Sequence, residues 1–209
     1  MKLKNVVLLG KGSLAIKAAK WFRENHNLVY VVPDMPEPTW TDSLTDWCKS
    51  NQVNLIESGD YRDLPDVKID LAMSIFYGKI IKQDFIDKCT DIINLHNAPL
   101  PKYRGVRPIN WALKNNETYH GVTIHKIHKG IDDGDILGSV TYPIYPEIEE
   151  VEDVYNKALD YGFILFKDVM SKIDYCADNA TPQSTIKQEP SYYSNKQNSL
   201  LQERSDFRR

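Results

Sequence analysis

Short apolar runs in the first half of the chain constrain the fold more than any other feature of the sequence. They cover residues 5–10, 28–32, 69–75 and 91–95. Each run has the length of a buried strand rather than of a helix. Between the first two runs, Leu14, Ala18 and Trp21 recur at helical spacing. This alternation predicts an α/β fold with an open, mostly parallel, Rossmann-like sheet.

The pattern between the second and third runs predicts two further elements. Residues 41–50 should form a helix, with Leu44 and Trp47 on one face. Residues 53–56 form a short apolar run that predicts an additional strand.

The second half of the chain has a different pattern. Residues 121–127 and 136–145 alternate in polarity on either side of a turn rich in Gly and Asp. They predict an antiparallel strand pair, added to the parallel sheet, with one solvated face. Residues 152–173 predict a long amphipathic helix towards the C-terminus. We expect one main domain over residues 1–180 and a polar C-terminal extension over residues 181–209.

Composition excludes several classes of function. Hydrophobic residues make up 42% and charged residues 26%, as in ordinary globular proteins. The formal net charge of −3 argues against nucleic acid as the main partner. The three cysteines are odd in number and far apart, which favours a reducing compartment. Because no apolar run approaches the roughly 20 residues of a bilayer span, we expect a cytoplasmic protein without a membrane partner.

The first turn of the chain resembles a dinucleotide-binding outline. Gly10, Gly12 and Ala15 fit a G-x-G-x-x-A run between strand and helix, and Asp34 follows the second strand. An NAD(P)-binding Rossmann module without catalytic activity is therefore one alternative. The other interpretation is that any tight strand-to-helix turn favours glycine.

The end of the run over residues 91–95 carries a sharper signal. Asn94 and His96 lie two residues apart, so their side chains leave a strand on the same side. This is the carboxyl end of a parallel strand, where open α/β sheets place their sites. An amide and an imidazole there can stabilise a developing oxyanion or position a nucleophile.

The Gly/Asp-rich turn offers an acidic partner for this pair. A solvated turn is the default interpretation of residues 130–135, but one of its aspartates could orient the imidazole of His96. We do not favour a metal site among His120, His125 and His128, because strand parity separates His125 from the other two.

Taken together, these segments resemble one family, the 10-formyltetrahydrofolate-dependent formyltransferases. The resemblance rests on residues 94–105, 121–125 and 131–137, in that order and spacing. It covers residues 69–145, and the strand and helix that begin at residue 5 are compatible with it. The glycine-rich turn is not a nicotinamide site in this family.

The resemblance implies roles for particular residues. Asn94, His96 and Asp132 correspond to the family's catalytic triad, and Thr123 and His125 to positions that line the site. The co-substrate it implies is N10-formyltetrahydrofolate, and the acyl transfer requires no metal. The predicted cofactor-binding residues are Tyr77, Gly78, Lys79, Ile80, His125 and Asp132.

The acceptor amine is chosen among three branches of the family. The short chain and its negative charge argue against methionyl-tRNA. Glycinamide ribonucleotide, in purine synthesis, stays an alternative, although the loop around Arg104 resembles the tRNA and sugar branches more closely. Like sugar N-formyltransferases, the chain has a Tyr-Tyr segment near its end, at Tyr192 and Tyr193.

We therefore expect transfer to a nucleotide-linked amino sugar. The favoured acceptor is dTDP-4-amino-4,6-dideoxyglucose, for O-antigen or lipopolysaccharide synthesis, with a 3-amino sugar as the close rival. Lys102, Arg104 and Arg107 are candidates for the diphosphate, and Tyr192 or Tyr193 for packing near the nucleotide. We also expect a homodimer.

Overall fold

The computed structural model describes residues 2–201. The chain divides into two compact units, Met1–Leu95 and His96–Arg209. No helix within residues 2–201 has the length and apolar character needed to cross a membrane.

The first unit is a parallel α/β layer. Its strands, in the spatial order β2-β1-β3-β4, are β1 (Asn5–Gly10), β2 (Asn27–Pro33), β3 (Ile69–Ile75) and β4 (Cys89–His96). Its helices are α1 (Gly12–Asn25), α2 (Leu44–Ser50) and α3 (Gln83–Ile86). Every pairing within this unit is parallel, as the four apolar runs predict.

Two predictions for the first unit need correction. Residues 53–56 are not a strand, since the segment makes only an isolated bridge between Leu55 and Val31. The second helix begins at Leu44 rather than at residue 41. The Ser43 hydroxyl caps it by accepting from the Asp46 N–H at 3.0 Å, and the Glu37 carboxylate accepts from the Leu44 N–H at 2.7 Å. Both contacts satisfy donors of the first helical turn, which fixes where the helix begins.

The second unit combines an antiparallel strand pair with a long helix. Its strands are β5 (Arg104–Gly105), β6 (Tyr119–Lys126), β7 (Ile136–Pro143) and β8 (Tyr192–Tyr193). Its helices are α4 (Pro108–Lys114), α5 (Val151–Ser171) and α6 (Ile173–Asp178). Strand β6 pairs antiparallel with β7, and β5 pairs parallel with β8. The predicted class, a mostly parallel α/β fold with an antiparallel pair and a long C-terminal helix, is confirmed.

The solvated face predicted for β6 is wrong. All residues from His120 to His125 are buried, so both faces of the strand are covered. Helix α5 packs against β6, and the loop that follows β4 is bonded to the strand as well. In that loop, the Ala98 carbonyl accepts from the Thr123 hydroxyl at 2.8 Å.

The described part of the predicted polar extension folds onto the second unit. Thr181 bridges to Ile136, and β8 pairs with β5. The division at residue 180 stays a prediction. Residues 202–209 lie outside the described residues.

Candidate active site

The C-terminal end of β4 presents an amide and an imidazole. Asn94 and His96 lie two residues apart on this strand, so their side chains leave it on the same side. The side chain of His96 is only 9% exposed. Its Nε2 lies 2.8 Å from the Tyr103 carbonyl oxygen, which can only accept. Nε2 therefore carries a proton, and Nδ1 is the nitrogen that changes its protonation state.

The carboxylate of Asp132 lies beside this imidazole. One oxygen, Oδ2, is 3.6 Å from Nδ1 of His96 and accepts the Gly105 N–H at 2.9 Å. The other oxygen, Oδ1, is 3.5 Å from Nε2 of His125. The structure thus brings together His96 and Asp132, as the sequence predicts.

Local backbone constraints place Asp132 there. It lies in the turn between β6 and β7 with φ +50°, a left-handed conformation that Asp and Asn tolerate better than most residues. A Cβ at Gly134 would lie 1.8 Å from the Lys126 carbonyl oxygen, so the turn can close this tightly only with glycine.

The ionisation of the pair follows from burial and mutual charge. Burial alone would raise the pKa of Asp132, but the charge of His96, the contact with His125 and the Gly105 hydrogen bond outweigh it and hold the pKa well below its usual range. Burial lowers the pKa of His96, and the Asp132 carboxylate opposes this shift only in part. The carboxylate is therefore ionised at neutral pH, beside an imidazole whose charged form is disfavoured by burial.

The neighbouring residues of β6 support the site in different ways. His125 is buried, with Nδ1 2.8 Å from the Lys126 carbonyl oxygen, and this contact directs Nε2 towards Asp132. The Thr123 hydroxyl donates to the Ala98 carbonyl and accepts the Leu100 N–H at 3.2 Å. Thr123 thereby fixes the loop that follows His96.

The three basic residues proposed for a diphosphate differ in their surroundings. Lys102 lies 2.9 Å from the Glu117 carboxylate, which already compensates its charge. The guanidinium of Arg104 donates from Nε and Nη2 to the Gln183 side-chain oxygen, at 3.0 and 2.6 Å. Arg107 is exposed at the start of α4 with φ +53°, and no ion pair is recorded for it among residues 2–201. It is therefore the most available of the three for an anionic ligand.

The two tyrosines of β8 also have different environments. Tyr193 stacks between two rings, with centroid distances of 4.2 Å to Trp111 and 5.7 Å to Tyr103. Its hydroxyl accepts from the Asn115 amide at 3.0 Å, so it is held within the second unit. Tyr192 is half exposed and available to a ligand.

The segment predicted to contact the co-substrate lies in the first unit. The Tyr77 hydroxyl and the Lys79 ammonium both donate to the Gly59 carbonyl, at 2.8 and 2.7 Å. A Cβ at Gly78 would lie 3.1 Å from the Asp34 carboxylate, while Ile80 is 70% exposed. The segment is thus fixed by its polar side chains and leaves an apolar side chain in solvent.

Packing within the first unit accounts for the glycine-rich turn. A Cβ at Gly10 would lie 2.2 Å from the Ile75 carbonyl oxygen, so glycine permits the close pairing of β1 with β3. The Lys11 ammonium is hydrogen-bonded to Asp34, the acid that a dinucleotide ribose would need.

Sequence reasoning missed the part played by Gln183. Its buried amide bonds to the turn that carries Asp132, at the Asp132 and Gly134 carbonyls. The only local signal is a position in a polar segment after Pro182, which does not distinguish a buried amide from a solvated one.

Comparison with known proteins identifies the family. A family model described as formyl transferase matches residues 19–170. The chain therefore belongs to the formyl transferase family.

A curated relative and two solved structures give the range of similarity. Methionyl-tRNA formyltransferase of Fervidobacterium nodosum is 36% identical over 122 residues, 58% of this chain and 37% of that protein. The N-formyltransferase of Helicobacter canadensis, in complex with folinic acid and dTDP-3-aminofucose, has a TM-score of 0.75 at 27% identity, with 93% of this chain and 72% of that chain covered. WlaRD, a sugar 3N-formyl transferase in the presence of dTDP and 5-N-formyl-THF, has a TM-score of 0.76 at 25% identity, with 94% and 71% covered. The chain spans 37% and 61% of the lengths of the first two curated relatives it matches.

Proposed function

We propose that the protein transfers a formyl group from N10-formyltetrahydrofolate to the amine of a nucleotide-linked amino sugar. The observation that carries the proposal is the buried contact between His96 and Asp132 in a member of the formyl transferase family. His96 lies two residues after Asn94 on β4. The two similar solved structures support this choice of substrates, because one is a complex with folinic acid and dTDP-3-aminofucose and the other was solved in the presence of dTDP and 5-N-formyl-THF.

The chemistry follows from the residue types at the site. The amine nitrogen forms a bond to the formyl carbon, and the carbonyl electrons move onto the oxygen. Asn94 stabilises that oxygen as a hydrogen-bond donor, and His96 does so from Nδ1 in its protonated form. The bond between the formyl carbon and N10 of the folate then breaks, N10 gains a proton, and the amine loses one.

Asp132 is the base that accepts the proton of the attacking amine. A carboxylate with a depressed pKa is too weak a base to deprotonate a free ammonium group. The amine therefore attacks in its neutral form, and its nitrogen becomes strongly acidic once bonded to the formyl carbon. His96 takes up a proton from solvent at Nδ1 before the attack, and the Asp132 charge stabilises the resulting imidazolium. Asp132 then accepts the proton of the amine, directly or through water.

The residues that the sequence predicts for co-substrate binding are proposed to contact N10-formyltetrahydrofolate. In the first unit these are Tyr77, Gly78, Lys79 and Ile80, which we propose as the segment that meets the pterin. The exposed side chain of Ile80 supports this, because it offers apolar surface to an aromatic ring. In the second unit, His125 and Asp132 remain proposed contacts of the formyl-bearing end.

The acceptor is proposed to be a dTDP-linked amino-dideoxy sugar used for O-antigen or lipopolysaccharide synthesis. The 4-amino sugar dTDP-4-amino-4,6-dideoxyglucose is the acceptor expected from the sequence, while the names of both solved structures favour an amine at position 3. Arg107 and the half-exposed Tyr192 are proposed to bind the diphosphate and the nucleotide. A cytoplasmic homodimer that binds neither nucleic acid nor membrane also stays a prediction.

Release of tetrahydrofolate with a panel of acceptors tests this function. The protein is mixed with N10-formyltetrahydrofolate and, separately, with dTDP-4-amino and dTDP-3-amino sugars, glycinamide ribonucleotide and methionyl-tRNA. Release with a dTDP-amino sugar alone is the expected result. Methionyl-tRNA is included because curated relatives at 36% identity act on it by name. Release of tetrahydrofolate with methionyl-tRNA alone, or with glycinamide ribonucleotide alone, would replace the proposal of a sugar acceptor. Release with none of these acceptors would contradict the proposal that the protein transfers a formyl group to them.

A further inference from the structure

Gln183 uses its full hydrogen-bonding capacity around the candidate site. The residue is 5% exposed. Its side-chain oxygen accepts two bonds from Arg104. Its Nε2 donates both protons, to the Asp132 carbonyl at 2.9 Å and to the Gly134 carbonyl at 2.8 Å. An amide has two lone pairs and two N–H donors, so no capacity remains.

These bonds hold the backbone on either side of Asp133, the centre of the turn. Asp132 has a left-handed backbone conformation, which is less favourable than the extended or helical regions and persists only where its surroundings hold it. The Gly105 N–H fixes the carboxylate, whereas Gln183 fixes the main chain from which that carboxylate extends. The two anchors together determine where the carboxylate lies.

The same C-terminal segment also fixes the partners of the His96 imidazole. The Ser191 hydroxyl accepts the Tyr103 N–H at 2.8 Å, and the Ser191 carbonyl accepts the Arg104 N–H at 2.9 Å. Tyr103 provides the carbonyl to which His96 donates. Residues 181–193 thus contact the supports of both His96 and Asp132.

We propose that Gln183 is a positioning residue for formyl transfer, which holds the Asp132 turn so that the carboxylate lies beside His96. The effect on turnover rests on the proposed function. The effect on the His96–Asp132 contact does not, because it can be measured in the protein without substrate.

Two variants separate positioning from general stability. Gln183→Met removes every hydrogen bond of the amide at similar length. Gln183→Glu keeps an acceptor for Arg104 but sets a carboxylate against the two turn carbonyls, which should displace the turn and leave the fold intact. Ser184→Ala, at an exposed neighbouring position, is the matched control.

The measurements are the His96 titration by imidazole NMR and the steady-state constants of formyl transfer. We expect kcat to fall roughly 10- to 100-fold in both Gln183 variants, with KM within about twofold, because displacement near 1 Å has such an effect. In Gln183→Met the pKa of His96 should fall below that of the unsubstituted protein, since the Asp132 charge moves away.

The outcomes distinguish the two proposals. If Gln183→Met does not fold, the Gln183→Glu variant decides through its kcat and the His96 ring shifts, which should change if the carboxylate moves. Folded variants with an unchanged His96 titration and unchanged kcat would overturn the positioning role. If the unsubstituted protein formylates no amine, the proposed function fails, and the titration alone still tests the role of Gln183.

Discussion

The backbone N–H of Gly105 donates to Oδ2 of Asp132 over 2.9 Å. The same oxygen faces Nδ1 of His96 at 3.6 Å, so the carboxylate has an anchor that does not depend on the imidazole. Only glycine suits this position, because a Cβ there would lie 2.1 Å from the Tyr193 carbonyl oxygen of β8 and φ is +91°. The backbone conformation at Gly105 therefore fixes the position of the Asp132 carboxylate beside His96.

Replacing Asn94 with alanine should remove one donor to the oxyanion. We expect kcat to fall by roughly 10²–10³-fold, about 3–4 kcal/mol of barrier, with a small change in KM. The comparison is with Thr90→Ala, an exposed position earlier on the same strand. Similar turnover in the two variants would mean that Asn94 does not contact the developing charge.

Replacing Arg107 with glutamine should weaken binding of the nucleotide sugar. The exposed guanidinium has no recorded ion pair within residues 2–201, so its charge is available to a diphosphate. We expect KM for the sugar to rise about tenfold or more, with kcat nearly constant, as for loss of one hydrogen bond to a charged group. Lys102→Gln should have a smaller effect, because Glu117 already compensates that charge. The reverse order would assign the diphosphate to Lys102.

The buried imidazole of His120 should make the protein less stable in acid. Burial lowers the pKa of His120 to about 4, while the unfolded chain takes up the proton near 6.5. The unfolded state therefore binds more protons between these values. The contribution of neutral His120 to the free energy of unfolding is complete above pH 6.5. It is lost as the pH falls towards 4, which lowers the free energy of unfolding by at most about 3 kcal/mol.

Denaturant titrations of the unsubstituted protein and of His120→Gln, from pH 7 to pH 4, measure this contribution. The free energy of unfolding of the unsubstituted protein should fall more steeply with pH than that of the variant. His96 also has a lowered pKa and contributes in the same direction to both proteins, so it cancels in the difference. Parallel curves would show that His120 does not stay neutral in the folded protein.

A dinucleotide should not bind at the glycine-rich turn. Asp34 is hydrogen-bonded to Lys11, and the close pairing of β1 with β3 explains Gly10 without a ligand. Titration with NADH, followed by nicotinamide fluorescence, should show no saturable change at micromolar concentration. Saturation would restore the alternative of an NAD(P)-binding module.

Much of the fold could be predicted because parallel strands buried on both faces are apolar runs with little ambiguity. The run over residues 69–75 matches β3 at both ends. Alternation was misleading for β6, where His120 and Thr123 are polar residues buried with hydrogen-bond partners rather than solvated ones. The start of α2 depends on the distant carboxylate of Glu37, which local periodicity does not register.

For the candidate site, the resemblance to the formyltransferase family implied that Asp132 lies beside His96. The supporting contacts could not be predicted, because they join segments far apart in the chain. Gln183 lies 51 positions from Asp132, and Tyr193 packs on Trp111 across an even longer separation. Basic residues also look alike in a sequence, whereas the structure separates the exposed Arg107 from the paired Lys102.

The most direct test of the central claim is the turnover of Asp132→Asn. Asparagine tolerates the left-handed backbone at this position, and its amide oxygen can still accept the Gly105 N–H. The thermal midpoint should therefore change little, while kcat for formyl transfer to a dTDP-amino sugar should fall roughly 10²–10⁴-fold, as for loss of a general base. A folded Asp132→Asn protein with nearly unchanged kcat would contradict the account, because the carboxylate would then take no part in the transfer.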